Sequence, residues 1–347
     1  MILCLFTRLL LGAFVFAWAG ETSGQMASVR KVQLKYTCEI AQVPTGAKIV
    51  DLWIPMPSDN EHQKVRLLNQ WELHAGRIST EKKFGNRLYY RRFEGPFALA
   101  QRGQTAAAKG APVRVDLAYD VEVHEQSVPA AKSLISTRQV QPGPEMAAYL
   151  GDTKMIPIQG RISRLAQAIK LTDGEPLRAG RKIYDYLIDT MTYNHQAAGA
   201  GSGNAVWACD SKTGDCTDFH SVFIGVCRWR GIPADHVFGL AILPNQTEGK
   251  INHCHCWARF WVADVGWIPI DASRANQFPS QRDYYFGTLG SSWVTLTHGR
   301  DVVLEPPQRG APINMFEAPF VEIDGQPSKS VRWFVSFKDR SQNAVVK

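Results

Sequence analysis

The segment 214–233 limits the possible folds of this chain more than any other. Its apolar residues recur at the spacing of one face of an α-helix, and these residues are Phe219, Val222, Phe223, Val226 and Cys227. Gly231 is a natural end for this helix, and Thr213 or Asp215 can cap its start. Cys216 therefore lies in the first helical turn, where free backbone N–H groups and the helix dipole favour a thiolate and can receive an oxyanion.

The segment 255–262 supplies a partner for this thiol. Its apolar side chains alternate along a strand, so that His255 points to the face opposite the core, where a cleft would lie. If Val262 pairs with Gly266 in the hairpin that follows, Asp271 lies on the same face as His255, one diagonal step away. Because a slip of one residue would turn Asp271 to the other face, the register of this hairpin tests the arrangement.

Side chains of these three types have complementary roles. The imidazole of His255 takes the proton of the Cys216 thiol, and the Asp271 carboxylate holds the ring and its tautomer. The thiolate then attacks an amide carbonyl to give a thioester, which passes its acyl group to an amine or to water.

The order and context of these residues resemble the transglutaminase-like superfamily. The resemblance is carried by Gly-Asp-Cys-Thr-Asp-Phe-His at 214–220, His-Cys-Trp at 255–257 and Gly-Trp-Ile-Pro-Ile-Asp at 266–271, and it extends over 184–304. It implies an α+β fold in which a papain-like transglutaminase core is preceded by an antiparallel β-sandwich, as in bacterial members.

The resemblance also assigns roles to individual residues. It implies a catalytic triad of Cys216, His255 and Asp271, and a reaction that needs no cofactor. Members usually carry Glu at the position of Arg259 and Arg at the position of Asp235. Because these two departures exchange opposite charges, we expect Arg259 and Asp235 to form an ion pair between neighbouring strands with its ends exchanged.

Patterning along the chain predicts five parts. Arg8, a short apolar run and Ala17-Trp18-Ala19 are typical of a secretory signal peptide, so we expect a periplasmic or secreted protein without an integral membrane segment after its removal. Strands with period-two alternation follow, and helical spacing begins only after them. The predicted parts are the signal peptide at 1–19, the N-terminal β-sandwich at 28–125, a connector at 126–159, the transglutaminase-like catalytic domain at 160–305 and a C-terminal tail with short strands at 306–347.

The excess of basic residues does not indicate a nucleic-acid-binding protein. The formal net charge is +7 and the pI is near 9.0, but Lys and Arg are scattered and no nucleic-acid motif is present. Hydrophobic residues make up 45% and charged residues 20% of the chain, which is typical of a folded protein. The expected partner is therefore a protein or peptide substrate, and the sequence does not specify an oligomeric state.

Three aromatic residues are candidates for the rest of the cleft. Trp207 and Tyr193 are candidates for a side-chain donor to the oxyanion, and Trp257 is a candidate to roof the cleft. For each of the three, packing in the core is the alternative interpretation.

Metal and disulfide chemistry are the other possibilities for the cysteines. The run 253–256 alternates His and Cys, but a strand sends these two residue types to opposite faces, so we predict no metal site. A disulfide between Cys209 and Cys254 remains open, because the sequence does not fix the distance between them.

The sequence therefore predicts an exported thiol enzyme that attacks a peptide or glutamine amide through Cys216, as an acyltransferase or a cysteine protease. No motif separates transferase from hydrolase, because the outcome depends on whether the acceptor site admits water. The alternative is a catalytically inactive peptide-binding module of the cell envelope. The complete set of three residues favours the enzyme, whereas the exchanged charges at Arg259 and Asp235 favour the binding module.

Overall fold

The computed structural model describes most of the chain after the predicted signal peptide. The described residues are 28–40, 43–95, 97, 113–134, 141–171, 175–251 and 253–341. The signal peptide predicted at 1–19 lies outside the described residues.

Strands dominate both ends of the described chain, and helices lie in its middle. The strands are β1 (Val29–Ile40), β2 (Ile49–Pro55), β3 (Gln63–Leu67), β4 (Arg77–Thr80), β5 (Arg87–Glu94), β6 (Val113–His124), β7 (Gln126–Ser127), β8 (Thr192–Tyr193), β9 (Thr213–Gly214), β10 (Ala234–Ala241), β11 (Glu248–Ile251), β12 (His255–Val262), β13 (Gly266–Ile270), β14 (Thr288–Leu289), β15 (Trp293–His298), β16 (Phe320–Ile323), β17 (Gln326–Ser328) and β18 (Val331–Asp339). The α-helices are α1 (Pro129–Ser133), α2 (Arg161–Ala168), α3 (Pro176–Thr190), α4 (Ala205–Ser211), α5 (Cys216–Trp229) and α6 (Ala272–Gln277), and 3₁₀ turns cover Gln70–His74, Pro144–Tyr149 and Pro279–Gln281.

The first unit is a sandwich of two antiparallel sheets. One sheet has the order β11-β18-β1-β6-β3 and the other has the order β17-β16-β2-β5-β4. The alternation that predicted β1 and β6 buries Leu34 and Leu117 from one sheet against Leu52 from the other. The predicted antiparallel sandwich is therefore confirmed.

The C-terminal tail completes this sandwich. Strands β16 and β18 lie where the sequence predicted strands, but the sequence did not indicate their partners. β18 pairs with β1 along its length, and β16 pairs with β2. Each sheet therefore combines strands from both ends of the described chain.

The second unit is a mixed α+β core. Its sheet has the order β13-β12-β10-β15, and helices α2 to α6 share one apolar core with it. Phe223 of α5 and Phe260 of β12 pack with their ring centroids 5.7 Å apart. At Gly180 of α3, a Cβ atom would come within 2.5 Å of the Phe260 ring, so this close helix–sheet approach requires glycine. The predicted α+β fold class is confirmed.

The two units share part of their packing. Leu240 of β10 and Val294 and Leu296 of β15 belong to the apolar core of the sandwich, although their strands are part of the α+β sheet. Strand β11 also pairs with β18 of the sandwich. The sheet that carries the candidate site is thus held on two sides by apolar packing.

A substitution in β18 tests whether the tail is part of the folding unit. Phe337 is buried opposite Leu34, so Phe337→Ala leaves a cavity and is expected to lower the free energy of unfolding by about 3–5 kcal/mol. The neighbouring Lys338 is exposed, and Lys338→Ala should change it by less than about 0.5 kcal/mol. Urea unfolding of both variants measures the difference, and equal midpoints would show that the β18 side chains do not stabilise the sandwich.

Candidate active site

Cys216 is the first residue of α5, as the sequence predicted. Asp215 caps the helix, and its carboxylate accepts a hydrogen bond from the Thr217 N–H at 2.8 Å. The Asp218 carboxylate returns to the Asp215 N–H at 3.0 Å and completes a capping box. Gly214 has φ +151°, and a Cβ there would lie 2.5 Å from the Asp218 Cβ, so glycine is needed beside the cap.

The glycine-rich loop 196–204 is held against this helix end. The Asp218 carboxylate accepts hydrogen bonds from the N–H groups of Gly201, at 2.8 Å, and Gly203, at 3.0 Å. The buried guanidinium of Arg300 donates to the Gly203 carbonyl at 3.3 Å and to the Ser221 hydroxyl at 3.1 Å. The loop is therefore fixed against the start of α5 by Asp218, which also takes part in the helix cap, and by Arg300.

The hairpin formed by β12 and β13 has the register on which the site depends. Val262 pairs with Gly266, as predicted, and Ala258 pairs with Ile270. Asp271 follows β13 directly and lies on the face that carries His255.

Asp271 is completely buried and uses both carboxylate oxygens. Its Oδ1 caps α6 by accepting hydrogen bonds from the Arg274 N–H at 2.9 Å and the Ser273 hydroxyl at 2.7 Å. Its Oδ2 lies 2.7 Å from Nε2 of His255. Because the helix cap fixes the carboxylate, the imidazole orientation is fixed with it.

The same imidazole and the Cys216 thiol influence each other's ionisation. Since Nε2 of His255 is engaged by Asp271, Nδ1 is the ring nitrogen left for the sulfur. A hydrogen bond from Cys256, together with the charge of His255, outweighs burial and lowers the pKa of Cys216 to about 6. Burial lowers the pKa of His255, but the Asp271 carboxylate and the Cys216 thiolate outweigh it and raise this pKa to about 9. Near neutral pH the pair is therefore a thiolate and an imidazolium.

A second histidine lies behind the first. His220 is completely buried on α5, and its Nε2 accepts a hydrogen bond from the Ala272 N–H at 3.2 Å. Nε2 also lies 3.5 Å from Oδ1 of Asp271. Burial lowers the pKa of His220 to about 4, so this ring is neutral at physiological pH.

Two tryptophans cover the outer side of His255. The Trp293 ring centroid lies 4.6 Å from that of the imidazole, and Trp257 lies 5.9 Å from Trp293 and 6.4 Å from His255. The sequence singled out Trp257 as a possible roof but missed Trp293. Trp293 begins β15, and only the pairing of β15 with β10 brings it to the site, so no local motif could have revealed it.

The other two aromatic candidates, Trp207 and Tyr193, have different surroundings. Trp207 is half-buried on α4, where a Cβ at Gly199 would come within 2.8 Å of its indole ring. Burial and the neighbouring Cys216 thiolate raise the pKa of Tyr193 well above its usual value, so its hydroxyl stays protonated beside the sulfur. A role of either residue, or of Trp257, towards the oxyanion remains a prediction.

The two exchanged charges form the predicted ion pair. Arg259 and Asp235 are opposite each other on β12 and β10, and the guanidinium donates to the carboxylate at 3.1 Å. Asp235 is completely buried, and Nδ1 of His298 lies 3.6 Å from its Oδ2. Trp267 packs under the guanidinium at 4.3 Å from its ring centroid.

A cleft lies beside the aromatic pair, between the sandwich and the α+β sheet. It encloses about 240 Å³. Trp257, Trp267 and Trp293 line it from the α+β sheet, and Gln63 and His124 line it from the sandwich. Trp257 and Trp293 belong both to this lining and to the cover of the imidazole, whereas His255 and Cys216 are not among the residues that line the cleft.

A segment of the C-terminal tail passes close to the sulfur, which the sequence did not predict. Met315 packs against the apolar cluster that contains Cys216 and Cys256. The Cys254 thiol donates a hydrogen bond to the carbonyl of Glu317 at 3.0 Å. Loss of solvent around the Glu317 carboxyl, with the Cys216 thiolate nearby, raises the pKa of Glu317 to about 7.

The six cysteines in the described part of the chain form no disulfide bonds. Their thiols are free, and they are Cys38, Cys209, Cys216, Cys227, Cys254 and Cys256. Among the described residues, no group of three or more His, Cys, Asp or Glu side chains is arranged to hold a metal ion. None of the described helices is long and apolar enough to cross a membrane.

Comparisons with known proteins find a family model that matches part of the α+β unit. The model of the transglutaminase-like superfamily matches residues 163–272. An uncharacterized protein of Haemophilus influenzae is 26% identical over 323 residues, which cover 83% of this chain and 85% of that protein. The resemblance inferred from the sequence is therefore confirmed: the chain carries a transglutaminase-like domain.

One solved structure supports the same fold. A protein of Cytophaga hutchinsonii, proposed to be a cysteine protease, superposes with a TM-score of 0.56 at 13% identity, covering 92% of this chain and 94% of that one. The periplasmic domain of TgpA from Pseudomonas aeruginosa covers 74% of this chain and 91% of that one at 12% identity, but its TM-score of 0.33 is too low to bear on the fold. The Cytophaga structure shows that the whole architecture, sandwich included, recurs elsewhere.

The Arg259–Asp235 pair predicts a strong coupling in stability. Arg259→Met leaves the buried Asp235 carboxylate without its guanidinium, which should lower the free energy of unfolding by about 3–5 kcal/mol. Adding Asp235→Leu removes the stranded charge and should recover most of this loss. Urea unfolding of the two single variants and the double variant measures the coupling, and additive losses would contradict a direct interaction.

We expect the contact between Asp271 and His255 to control the protonation state of the Cys216 sulfur. In Asp271→Asn the ring keeps a hydrogen-bond acceptor but loses the negative charge, so the pKa of His255 should fall and that of Cys216 should rise. A rise of one unit reduces the thiolate fraction by about tenfold at pH values well below the original pKa. Iodoacetamide labelling rates of Cys216 across pH measure this change. Asp210→Asn, at an exposed aspartate of α4, serves as control, and equal profiles for both variants would refute the coupling.

Proposed function

We propose that this protein is a thiol enzyme of the transglutaminase-like type that attacks amides. Cys216 is the nucleophile, His255 is the general base and acid, and Asp271 orients the imidazole. One observation carries the proposal: Nε2 of His255 lies 2.7 Å from the buried Asp271 carboxylate, while the charge of the same ring helps to lower the pKa of Cys216.

The acylation step follows from the charges of the pair. The Cys216 thiolate forms a bond to the carbonyl carbon of the amide, and the carbonyl oxygen becomes an oxyanion near the first turn of α5. The C–N bond breaks as the His255 imidazolium gives its proton to the leaving nitrogen. A glutamine side chain releases ammonia in this step, whereas a peptide bond releases a new amino terminus.

The deacylation step regenerates the starting pair. The neutral His255 takes a proton from water or from a primary amine as that group attacks the thioester carbonyl. The C–S bond breaks, and the sulfur leaves as thiolate beside the newly protonated ring. Water yields a carboxylate, and an amine yields a new amide, so the acceptor decides between a protease and a transferase.

The cleft beside the tryptophans that cover His255 suits a protein or peptide substrate. The cleft of about 240 Å³ is lined by aromatic side chains that offer flat apolar surfaces to an extended chain. The predicted signal segment at 1–19 adds the proposal that the enzyme acts outside the cytoplasm, which the mass of the mature N-terminus and cell fractionation would test.

The pKa values of Cys216 and His255 predict different pH dependences for alkylation and for turnover. Turnover of an amide needs the thiolate and the imidazolium together, so it should rise through a pH of about 6 and fall again through about 9. Iodoacetamide needs only the thiolate, so its reaction with Cys216 should rise through the first pKa and not fall at the second. Profiles that fall together at high pH would contradict the proposed acid role of His255.

The activity itself is tested by one incubation with two readouts. The protein is mixed with a labelled primary amine and a casein-type substrate, and the products are examined for incorporated label and for new amino termini. Incorporation identifies a transferase, and new termini identify a protease. Cys216→Ala should abolish either signal, whereas Cys38→Ala, at a buried thiol of the sandwich, should leave it unchanged. Absence of both signals from the wild-type protein, despite a reactive Cys216, would favour the peptide-binding module.

A further inference from the structure

A second sulfur lies at the nucleophile. Cys256 follows His255 on β12, is completely buried, and shares an apolar cluster with Cys216 and Phe238. A hydrogen bond from Cys256 is the first cause that lowers the pKa of the Cys216 thiol. A thiolate only accepts, so in the ionised state Cys256 is the donor.

The opposite side of Cys256 faces a histidine whose tautomer is fixed. Nε2 of His220 accepts the Ala272 N–H at 3.2 Å, and because a backbone amide only donates, the ring proton sits on Nδ1. Nδ1 lies 3.6 Å from the Cys256 sulfur, and it also reaches the carbonyl of Cys216. The single Nδ1 proton is shared between the carbonyl of Cys216 and the sulfur of Cys256, so Cys256 cannot donate to this ring and its own proton is free to point at Cys216.

These contacts form a chain of donors that ends at the nucleophile. It runs from the Ala272 N–H to His220, from His220 to Cys256, and from Cys256 to Cys216. Each member is neutral, and each orients the next. In a site that excludes water, aligned dipoles of this kind stabilise an anion at their end.

We propose that Cys256 is a further catalytic residue, which donates its thiol proton as a hydrogen bond to the Cys216 thiolate and is positioned for this by His220. The proposal rests on the proposed function, since it concerns the same nucleophile. It assigns the buried His220, which the acyl-transfer steps do not use, to the orientation of Cys256. The positive charge of the His255 imidazolium stabilises the Cys216 thiolate, and the neutral Cys256 thiol adds a hydrogen bond to the same sulfur.

Other charged and titratable groups also face the two sulfurs and set the background for any pH experiment. They are Asp215, His220, Cys254, His255, Asp271, Arg300, Glu317 and the hydroxyl of Tyr193. A substitution of Cys256 leaves all of them in place, so the difference between variants isolates the donor.

The test compares Cys256→Ala and Cys256→Ser in the full chain. The rate of iodoacetamide labelling at Cys216 is measured from about pH 4 to about pH 10. Loss of a donor to a charged group should raise the apparent pKa of the labelling reaction by about 1 to 2 units in Cys256→Ala. At a pH of about 6 this slows labelling by about fivefold or more. Cys256→Ser keeps a donor and should restore most of the wild-type profile.

Controls separate this proposal from the one on which it rests. Cys227, on α5, is a completely buried thiol like Cys256, and Cys227→Ala should leave the labelling profile of Cys216 unchanged. If Cys216 of the wild-type protein shows no fast labelling near pH 6, the proposed nucleophile is wrong. If the wild-type protein is fast and Cys256→Ala has the same profile, only the role of Cys256 is wrong.

A measurement that leaves Cys256 in place covers the case in which Cys256→Ala does not fold. The difference Raman spectrum between the wild-type protein and Cys216→Ala follows the Cys256 S–H stretch. This stretch should move to lower frequency as Cys216 ionises, because the thiol then donates to an anion. An S–H stretch that does not change across the titration of Cys216 would overturn the proposal.

Discussion

The contact between Asp271 and His255 is the interaction on which the rest of the site depends. A carboxylate that is completely buried and already fixed as a helix cap places a full negative charge 2.7 Å from one ring nitrogen. That charge keeps the imidazole protonated, and the hydrogen bond from Cys256 together with the protonated imidazole keeps the sulfur ionised. Without it, burial would act on both groups in the opposite direction, because a low-dielectric site disfavours every charge.

The scaffold brings the sulfur, the imidazole and the carboxylate together from separate secondary-structure elements. The sulfur stands at the start of α5, where a capping box and the glycine-rich loop hold the first turn. The imidazole and the carboxylate stand at the two ends of one hairpin, so the pairing of β12 with β13 sets their separation. The sandwich holds the outer edge of the same sheet through Leu240, Val294 and Leu296, and it receives strands from both ends of the described chain.

Local patterns predicted what depends on a short stretch of chain. The start of α5 at Cys216 follows from spacing within one element, and the register of Val262 with Gly266 is the one that the arrangement of His255 and Asp271 required. The Arg259–Asp235 ion pair was expected because both residues depart, with opposite charges, from those usual in the family that the sequence resembles. The partners of β16 and β18, the cover that Trp293 provides and the donor chain behind Cys216 could not be predicted, because each arises from contacts between distant segments. A sequence without its fold does not report which distant elements meet.

The central claim is that the sulfur and the imidazole are both charged near neutral pH, and nuclear magnetic resonance of the His255 ring nitrogens tests it most directly. In protein labelled at histidine, with Cys216→Ala used to assign the signal, the account predicts an imidazolium that persists through neutral pH and titrates at about 9. A His255 ring that is neutral at pH 7, with a thiol proton still on Cys216, would contradict it.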